Sequence, residues 1–260
     1  MIKQQVPKVL LIDIEMFPME VYAWGIHDQN IPINMIKQRT TMASWAAKWL
    51  GKAQVFYDDV SKQKSIRNDK PISKSLQSLI NQADIIVAHN LPFDKKKSEG
   101  RAMVNRLQPT KKLDGICTLK IAKKYFKLDS NKLESLAIEL GLDIKKSKHG
   151  KFIGFDLWSE CMNKNQAAWK EMKKYNKVDV LVLEQVYRRL IPWDNSLNFN
   201  VYHKDHASFC SACGHDKFKD NGFRYSNTGK FKRFKCKKCG KESQSKYNEL
   251  SPKKRREMLK

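Results

Sequence analysis

The apolar run VLLIDIE, residues 9 to 15, ends on two of its own acids. That junction constrains the fold more than any other feature of the chain. A run this short and this apolar reads as a buried strand. Side chains on a strand alternate with period two, so Asp13 and Glu15 point the same way. Two more acidic signals follow in order: Asp94 in HNLPFD, and Tyr175 four residues before Asp179 in YNKVD. Asp94 comes just after the apolar run DIIVAHN (84 to 90), where a strand hands over to a helix, and carboxyl ends of strands are where open α/β sheets place their sites. Residues 175 and 179 are i and i+4 on a helix and share a face. A fold can therefore bring four carboxylates and a phenol to one point. Such a cluster is costly unless divalent cations neutralise it.

That set suits phosphodiester hydrolysis. The reaction needs a water made nucleophilic near pH 7 and a leaving oxygen that can carry charge, and two Mg²⁺ or Mn²⁺ ions about 3.5–4 Å apart supply both. Carboxylate oxygen is the ligand hard cations prefer. A neutral phenol can orient the attacking water without adding charge.

The elements around these residues read as follows. Residues 9 to 15 form a strand, VYAWGI (21 to 26) a second after the turn at Phe17-Pro18, and INMIKQ a third. ASWAAKWLG reads as a helix with Gly51 as C-cap, and QVFYDDV (54 to 60) as another strand. SKQKSIRNDKP is a solvated loop and SLQSLINQA a helix. Leu113 to Leu128 reads as a helix with Asp114 as its N-cap, Leu133 to Leu140 as another closed by Gly141, and Asn165 to Leu190 as a long helix stopped by Pro192. Strands first, then strands alternating with helices, predict an α/β fold with a sheet covered by helices. His89 orders the end of the strand before it, and Asn90 and Phe93 are candidate nucleic-acid contacts.

DxE, then Nx₂FD, then Yx₃D resembles the three exonuclease motifs of DEDD 3′–5′ exonucleases, in the tyrosine subgroup. The histidine subgroup places its base five residues before the last acid, where this chain has Lys174. DIExxP, WAAKWLG, LDGICTLKIAKKYFKLDSNKL and the tract AWKEMKKYNKVDVLVLEQVY resemble the stand-alone exonuclease-like proteins of tailed phages, over roughly residues 8 to 193. The resemblance implies an RNase H-like mixed sheet flanked by helices. It also implies Asp13, Glu15 and Asp179 near two Mg²⁺ or Mn²⁺ ions, Asp94 among the ligands directly or through water, and Tyr175 positioning the water. Relatives often carry threonine or serine after DIE, where this chain has Met16 and Phe17, and the second motif is one residue shorter than in the phage relatives.

The remaining signal is a change of character after residue 193. The chain has 51 basic and 27 acidic residues, a net charge of +24. From His203 to Lys260 there are 17 basic and 6 acidic residues, about three times the net positive charge per residue of the rest. An excess of this size points to a polyanion, with nucleic acid as the expected partner. Six cysteines divide sharply. Cys117 and Cys161 are isolated, whereas Cys210, Cys213, Cys236 and Cys239 form CSAC and CKKC, 22 residues apart and each followed by glycine. In a reducing compartment this pattern reads as one structural Zn²⁺ held by four thiolates, with His206 and His215 as substitute ligands. Turn signals between aromatic, basic stretches predict β-hairpins, hence a zinc ribbon. Arg224, Lys232, Arg233 and Lys235 interleave with aromatic residues, a pattern suited to single-stranded nucleic acid.

The expected organisation is an exonuclease domain over 1–193, a linker over 194–206, a zinc ribbon over 207–245 and a basic tail over 246–260. The expected function is metal-dependent 3′–5′ exonucleolytic release of nucleoside monophosphates from single-stranded DNA, with a polymerase or other replication protein acting in trans. Alternatives are an RNA-directed or structure-selective nuclease, and a non-catalytic nucleic-acid-binding replication accessory protein. No run approaches the roughly 18 apolar residues of a membrane span and no targeting segment is visible, so a cytoplasmic location is expected, for a phage protein the host cytoplasm.

Overall fold

The computed structural model describes residues 7–142, 150–203 and 208–258. The run that opens the sequence becomes β1 (Val9–Phe17), and Val9 to Ile12 are all buried. It lies at the centre of a five-stranded sheet. β4 (Thr41–Trp49) pairs with it antiparallel on one side and β6 (Ile85–Ala88) parallel on the other. β5 (Val55–Asp59) flanks β4, and β7 (Asp114–Cys117) flanks β6 in parallel, giving the order β5-β4-β1-β6-β7. Between strands the chain forms α1 (Lys70–Ile80) and α2 (Leu91–Val104), and after β7 come α3 (Thr118–Tyr125), α4 (Leu133–Glu139), α5 (Asp156–Met162) and α6 (Gln166–Leu190). This is the mixed sheet flanked by helices that the sequence predicts.

Three local expectations are corrected. Residues 43–51 are not a helix: β4 covers most of them, and Gly51 sits in the turn towards β5. Every residue from Thr41 to Lys48 is buried between two neighbouring strands, and burial on both faces removes the period-two alternation that marks a strand. Even Lys48 is 5% exposed, because its ammonium pairs with Glu184 of α6. Of residues 21–26, only Val21 is extended, in β2 (Glu20–Val21), which pairs with β3 (Ile36–Gln38). Tyr22, Trp24 and Ile26 are exposed, so the alternation there has no core to face. Finally, Leu113–Leu128 is two elements. Asp114 is the exposed first residue of β7, not an N-cap, and the helix starts after Cys117. The need of β6 for a partner outranks the local helical pattern.

The chain divides into one unit over Lys8–Tyr187 and another over Met1–Pro7 and Arg188–Lys260. The second holds β8 (Phe218–Ser226), β9 (Gly229–Cys236) and β10 (Glu242–Asn248) in an antiparallel sheet of order β10-β9-β8. A short helix, α7 (Pro252–Glu257), follows in the stretch expected as a tail. The stretch expected as a linker is packed against the ribbon. Phe199 is buried, and the Lys241 ammonium, itself buried, donates to the carbonyls of Pro192 and Asp194 and to Asn195 Oδ1.

Candidate metal centres

β1 carries Asp13 and Glu15 to one side of the sheet, opposite Ala46 and Ser44 of β4. The register slips between Glu15 and Met16, and a bulge there turns the strand away just past the second acid. α6 brings Asp179 to the same place. One carboxylate oxygen from each of Asp13, Glu15 and Asp179 lies within 4.8 Å of the other two. Asp94 is not a member of that group. It sits in the first turn of α2, 3% exposed, and accepts the Ile14 N–H at 3.3 Å. Burial, and then the charge of Asp13, push its carboxyl up to about 8. The shorter second motif therefore still delivers an acid to the edge of the cluster, one step from the other three.

Tyr175 shares the face of Asp179, as the i, i+4 spacing predicts. Its ring packs edge-on against Trp158, with centroids 5.9 Å apart. Burial and the charges of Asp179, Glu15 and Asp13 hold the phenol well above its ordinary pKa, with a hydrogen bond to Asp179 acting in the same sense. It is a neutral hydrogen-bonding group beside three carboxylates.

One contributor was not anticipated. Asn176, fully buried, donates from Nδ2 to Asp13 Oδ2 and, at 3.3 Å, to the Asp13 carbonyl, while its Oδ1 accepts the Ser44 hydroxyl at 3.1 Å. The side chain of Asp13 is thereby held by α6 and β4 together. The available signal was an amide on the apolar face of a long helix, since a polar group there must be hydrogen-bonded to be tolerated. Lys48 and Glu184 tie β4 to α6 a little further along, where Glu184 also accepts the Gly51 N–H at 3.0 Å.

The acids open onto a cleft of about 610 Å³ that also takes in His89, Asn90, Lys123, Lys132 and Tyr175. His89 does order its surroundings: Nδ1 meets the Thr118 hydroxyl and Nε2 the Asn131 carbonyl, both at 2.9 Å. Facing a carbonyl, Nε2 must carry the proton. Asn90 is exposed in a left-handed conformation ahead of α2. Phe93 lines a separate apolar recess, with Phe155, Trp158 and Lys97, that shares Glu15 with the cleft.

The second centre is built of thiols. Cys210 and Cys239 sulfurs are 3.6 Å apart, Cys213 and Cys236 sulfurs 3.7 Å, and all four lie within 4.8 Å of one another. Four sulfurs about 2.3 Å from a tetrahedral Zn²⁺ have edges of nearly that length, so the donor set fits zinc. Each pair sits on a tight turn closed by the following glycine: Gly214 N–H donates to the Cys210 carbonyl at 2.9 Å and Gly240 N–H to that of Cys236 at 3.0 Å. Both glycines have positive φ, +67° and +77°, which residues with a Cβ adopt only under strain. His215 is outside the thiol group, and His206 lies outside the described residues. Of the basic candidates, Arg224 donates to Gln244, Lys232 pairs with Asp220, Arg233 stands 3.9 Å from Glu242, and Lys235 is exposed on β9.

The order of the five strands and the acids at the end of the central one define a nuclease-type α/β domain. A family model of the RNase H superfamily matches residues 40–191, more than half of the chain, and the chain belongs to that superfamily. The matched stretch contains Asp94, Tyr175 and Asp179, while the strand with Asp13 and Glu15 precedes it. No curated protein matches the sequence. Membership makes nucleic acid the substrate class and divalent metals the usual cofactor. Among the described residues, no helix is long and apolar enough to cross a membrane.

Proposed function

We propose that the protein is a 3′–5′ exonuclease of the DEDD tyrosine subgroup, acting on single-stranded DNA, with Lys8–Tyr187 as the catalytic part and the zinc ribbon holding the polynucleotide. The observation that carries this reading is the convergence of Asp13, Glu15 and Asp179 within 4.8 Å, with Tyr175 beside them at the mouth of a cleft. The polarity and the subgroup rest on the likeness of the three motifs to that family. Asp13, Glu15 and Asp179 would hold two Mg²⁺ or Mn²⁺ ions, with Asp94 completing the set from beside Asp13. Bound there, the ions supply a water made nucleophilic near neutral pH and stabilise charge on the leaving oxygen.

The chain's own groups do the rest. Tyr175 stays protonated, so its hydroxyl can hydrogen-bond the attacking water, and Trp158 keeps the ring from swinging. Asn176 fixes which oxygen of Asp13 faces the cleft. Lys123 and Lys132, lining the same cleft, can meet the incoming phosphates. A polymerase or another replication protein, in a phage-infected host, would supply the context in trans. The test is a product ladder from 3′- and 5′-labelled DNA and RNA oligonucleotides with Mg²⁺, with Mn²⁺ and without either. Stepwise shortening of 5′-labelled single-stranded DNA, only with metal, is expected. Internal cuts, or no cleavage under any of these conditions, would sink the reading.

A further inference from the structure

The ribbon unit has a recess of its own, about 1170 Å³, bounded by residues within 195–200 and 208–211 and by β8, β9 and β10. Its polar groups are unbalanced. Asn195 Oδ1 accepts from Lys241, Asn198 Oδ1 from the Asn200 N–H at 3.0 Å, Asn200 Oδ1 from the Phe209 N–H at 2.7 Å, and Gln244 Oε1 from Arg224 at 2.9 Å. In all four amides the oxygen already accepts one hydrogen bond, while the NH₂ group donates to no acceptor among the described residues. The acids lining the recess are engaged as well. Asp220 accepts from the Gly222 N–H at 2.9 Å and pairs with Lys232 at 3.0 Å, and Glu242 accepts from Asn221 at 2.8 Å. Two residues of this lining each hold a buried side-chain atom, Arg233 Nε and Ser243 Oγ, with no hydrogen-bond partner among the described residues. A buried donor left in that condition costs about 1–3 kcal/mol, and native proteins rarely leave one so.

A surplus of donors calls for a ligand rich in acceptors, and the rings of Phe218 and Phe234 on the same lining call for flat apolar faces. We propose that this recess binds single-stranded polynucleotide, its donors taking phosphate and base oxygens and its rings packing against bases. The proposal rests on the reading above only in taking nucleic acid as what the chain handles. It takes in Arg224, Lys232 and Arg233, three of the four basic candidates, and leaves out the outward-facing rings of Phe223 and Tyr225. Lys230 is 4.0 Å from the Phe223 ring on that outward surface, and Phe223 and Tyr225 are exposed.

The test measures binding of fluorescein-labelled oligothymidylate to the full chain by anisotropy, in buffer free of Mg²⁺ and Mn²⁺ and without chelator. Polyglutamate serves as a competing polyanion without bases. Arg233→Gln is expected to weaken binding about tenfold, as loss of one charged hydrogen bond does. Ser243→Ala removes a hydroxyl that has no partner among the described residues, so it should keep its zinc and its melting temperature while weakening binding about threefold. Phe223→Ala and Tyr225→Ala should have smaller effects than either. Unchanged affinity in Ser243→Ala with one zinc per chain overturns the proposal even if Arg233→Gln fails to fold. So does a larger loss from the two aromatic variants, or displacement of the oligonucleotide by polyglutamate at equal charge. If the wild type cuts nothing yet these variants still weaken binding, the exonuclease reading fails and the recess stands.

Discussion

The two metal centres are opposites in what surrounds them. The carboxylate centre sits on a unit that has a core of its own: Leu10, Ile12, Phe17, Met42, Leu76, Leu157 and Trp169 belong to one buried cluster that needs no ion. Three acids are a load that this scaffold can carry. The thiol centre sits on a three-stranded sheet whose strands are largely exposed or half-buried, with Cys210, Cys236 and their neighbours Phe209 and Ala212 among its few buried residues. There a bound ion would be the core. The first centre is open to a cleft and built of hard donors, so ions held there would serve chemistry. The second is closed by four soft donors, so an ion held there would serve folding.

The comparison breaks most visibly if a ligand is removed from each centre. Cys210→Ser should release the zinc and unfold the ribbon alone, since structural zinc contributes about 10–16 kcal/mol to such small domains. Zinc content and amide hydrogen exchange will check it: protection should vanish in β8–β10 and persist in β1, β4 and β6. Loss of protection across both units at once would show that the two are not separable. Asp179→Ala should do the reverse. Cleavage should fall by at least about 10³-fold, on the scale of losing a main electrostatic contributor. The melting temperature without magnesium should hold or rise, because one of several like charges has gone. A variant that retains activity would remove Asp179 from the site.

The residues that could be read from the sequence are those whose chemistry is tied to a short spacing. Asp13 and Glu15 two apart, Tyr175 and Asp179 four apart and Cys-x-x-Cys each imply one face or one turn whatever the rest of the fold does, and the structure brings each set together. β4 was not readable because its pattern is made by neighbours. Ala43, Ala46 and Ala47 suit a helix, and only the pairing with β1 and β5 makes them a strand. Asn176 was hidden for a similar reason: its partners, Asp13 and Ser44, are more than 130 residues away. Asp94 lies between these cases. Its place after a strand was legible, but its depth behind β1, which sets its distance from the other acids, depends on how α2 packs.

Tyr175→Phe sharpens the contrast within the open centre, between groups that hold ions and a group that addresses water. The phenol adds no charge, so its loss should leave metal affinity unchanged and act on rate alone. A hydrogen bond to a charged or developing charge is worth about 1.5–3 kcal/mol, a factor of about 10 to 150 in kcat. Titration of Mg²⁺ against activity separates the outcomes. A raised metal requirement would make the phenol part of the metal shell, and an unchanged rate would leave it a packing partner of Trp158.

The smallest effect tests how the acidic centre strains its scaffold. Asp94 has its carboxyl raised to about 8 by burial and by Asp13, against about 3.9 in an unfolded chain. The folded state thus holds this proton more tightly than the unfolded state does. Its contribution to stability is present in full below about pH 4 and is lost as pH rises through about 8. Asp94→Asn keeps the shape and cannot ionise. Between pH 4 and 8, without magnesium, the melting temperature of the wild type should therefore fall relative to that of the variant, by a few degrees. Added Mg²⁺ should restore the wild type more at pH 8 than at pH 5, since a cation stabilises the ionised carboxylates that the empty scaffold tolerates poorly. The thiol centre should move the other way: its ligands bind zinc as thiolates, so acid weakens it and alkali does not. A wild-type curve parallel to that of Asp94→Asn across this range would mean that Asp94 sits in an ordinary carboxylate environment, and its place beside the three clustered acids would have to be given up.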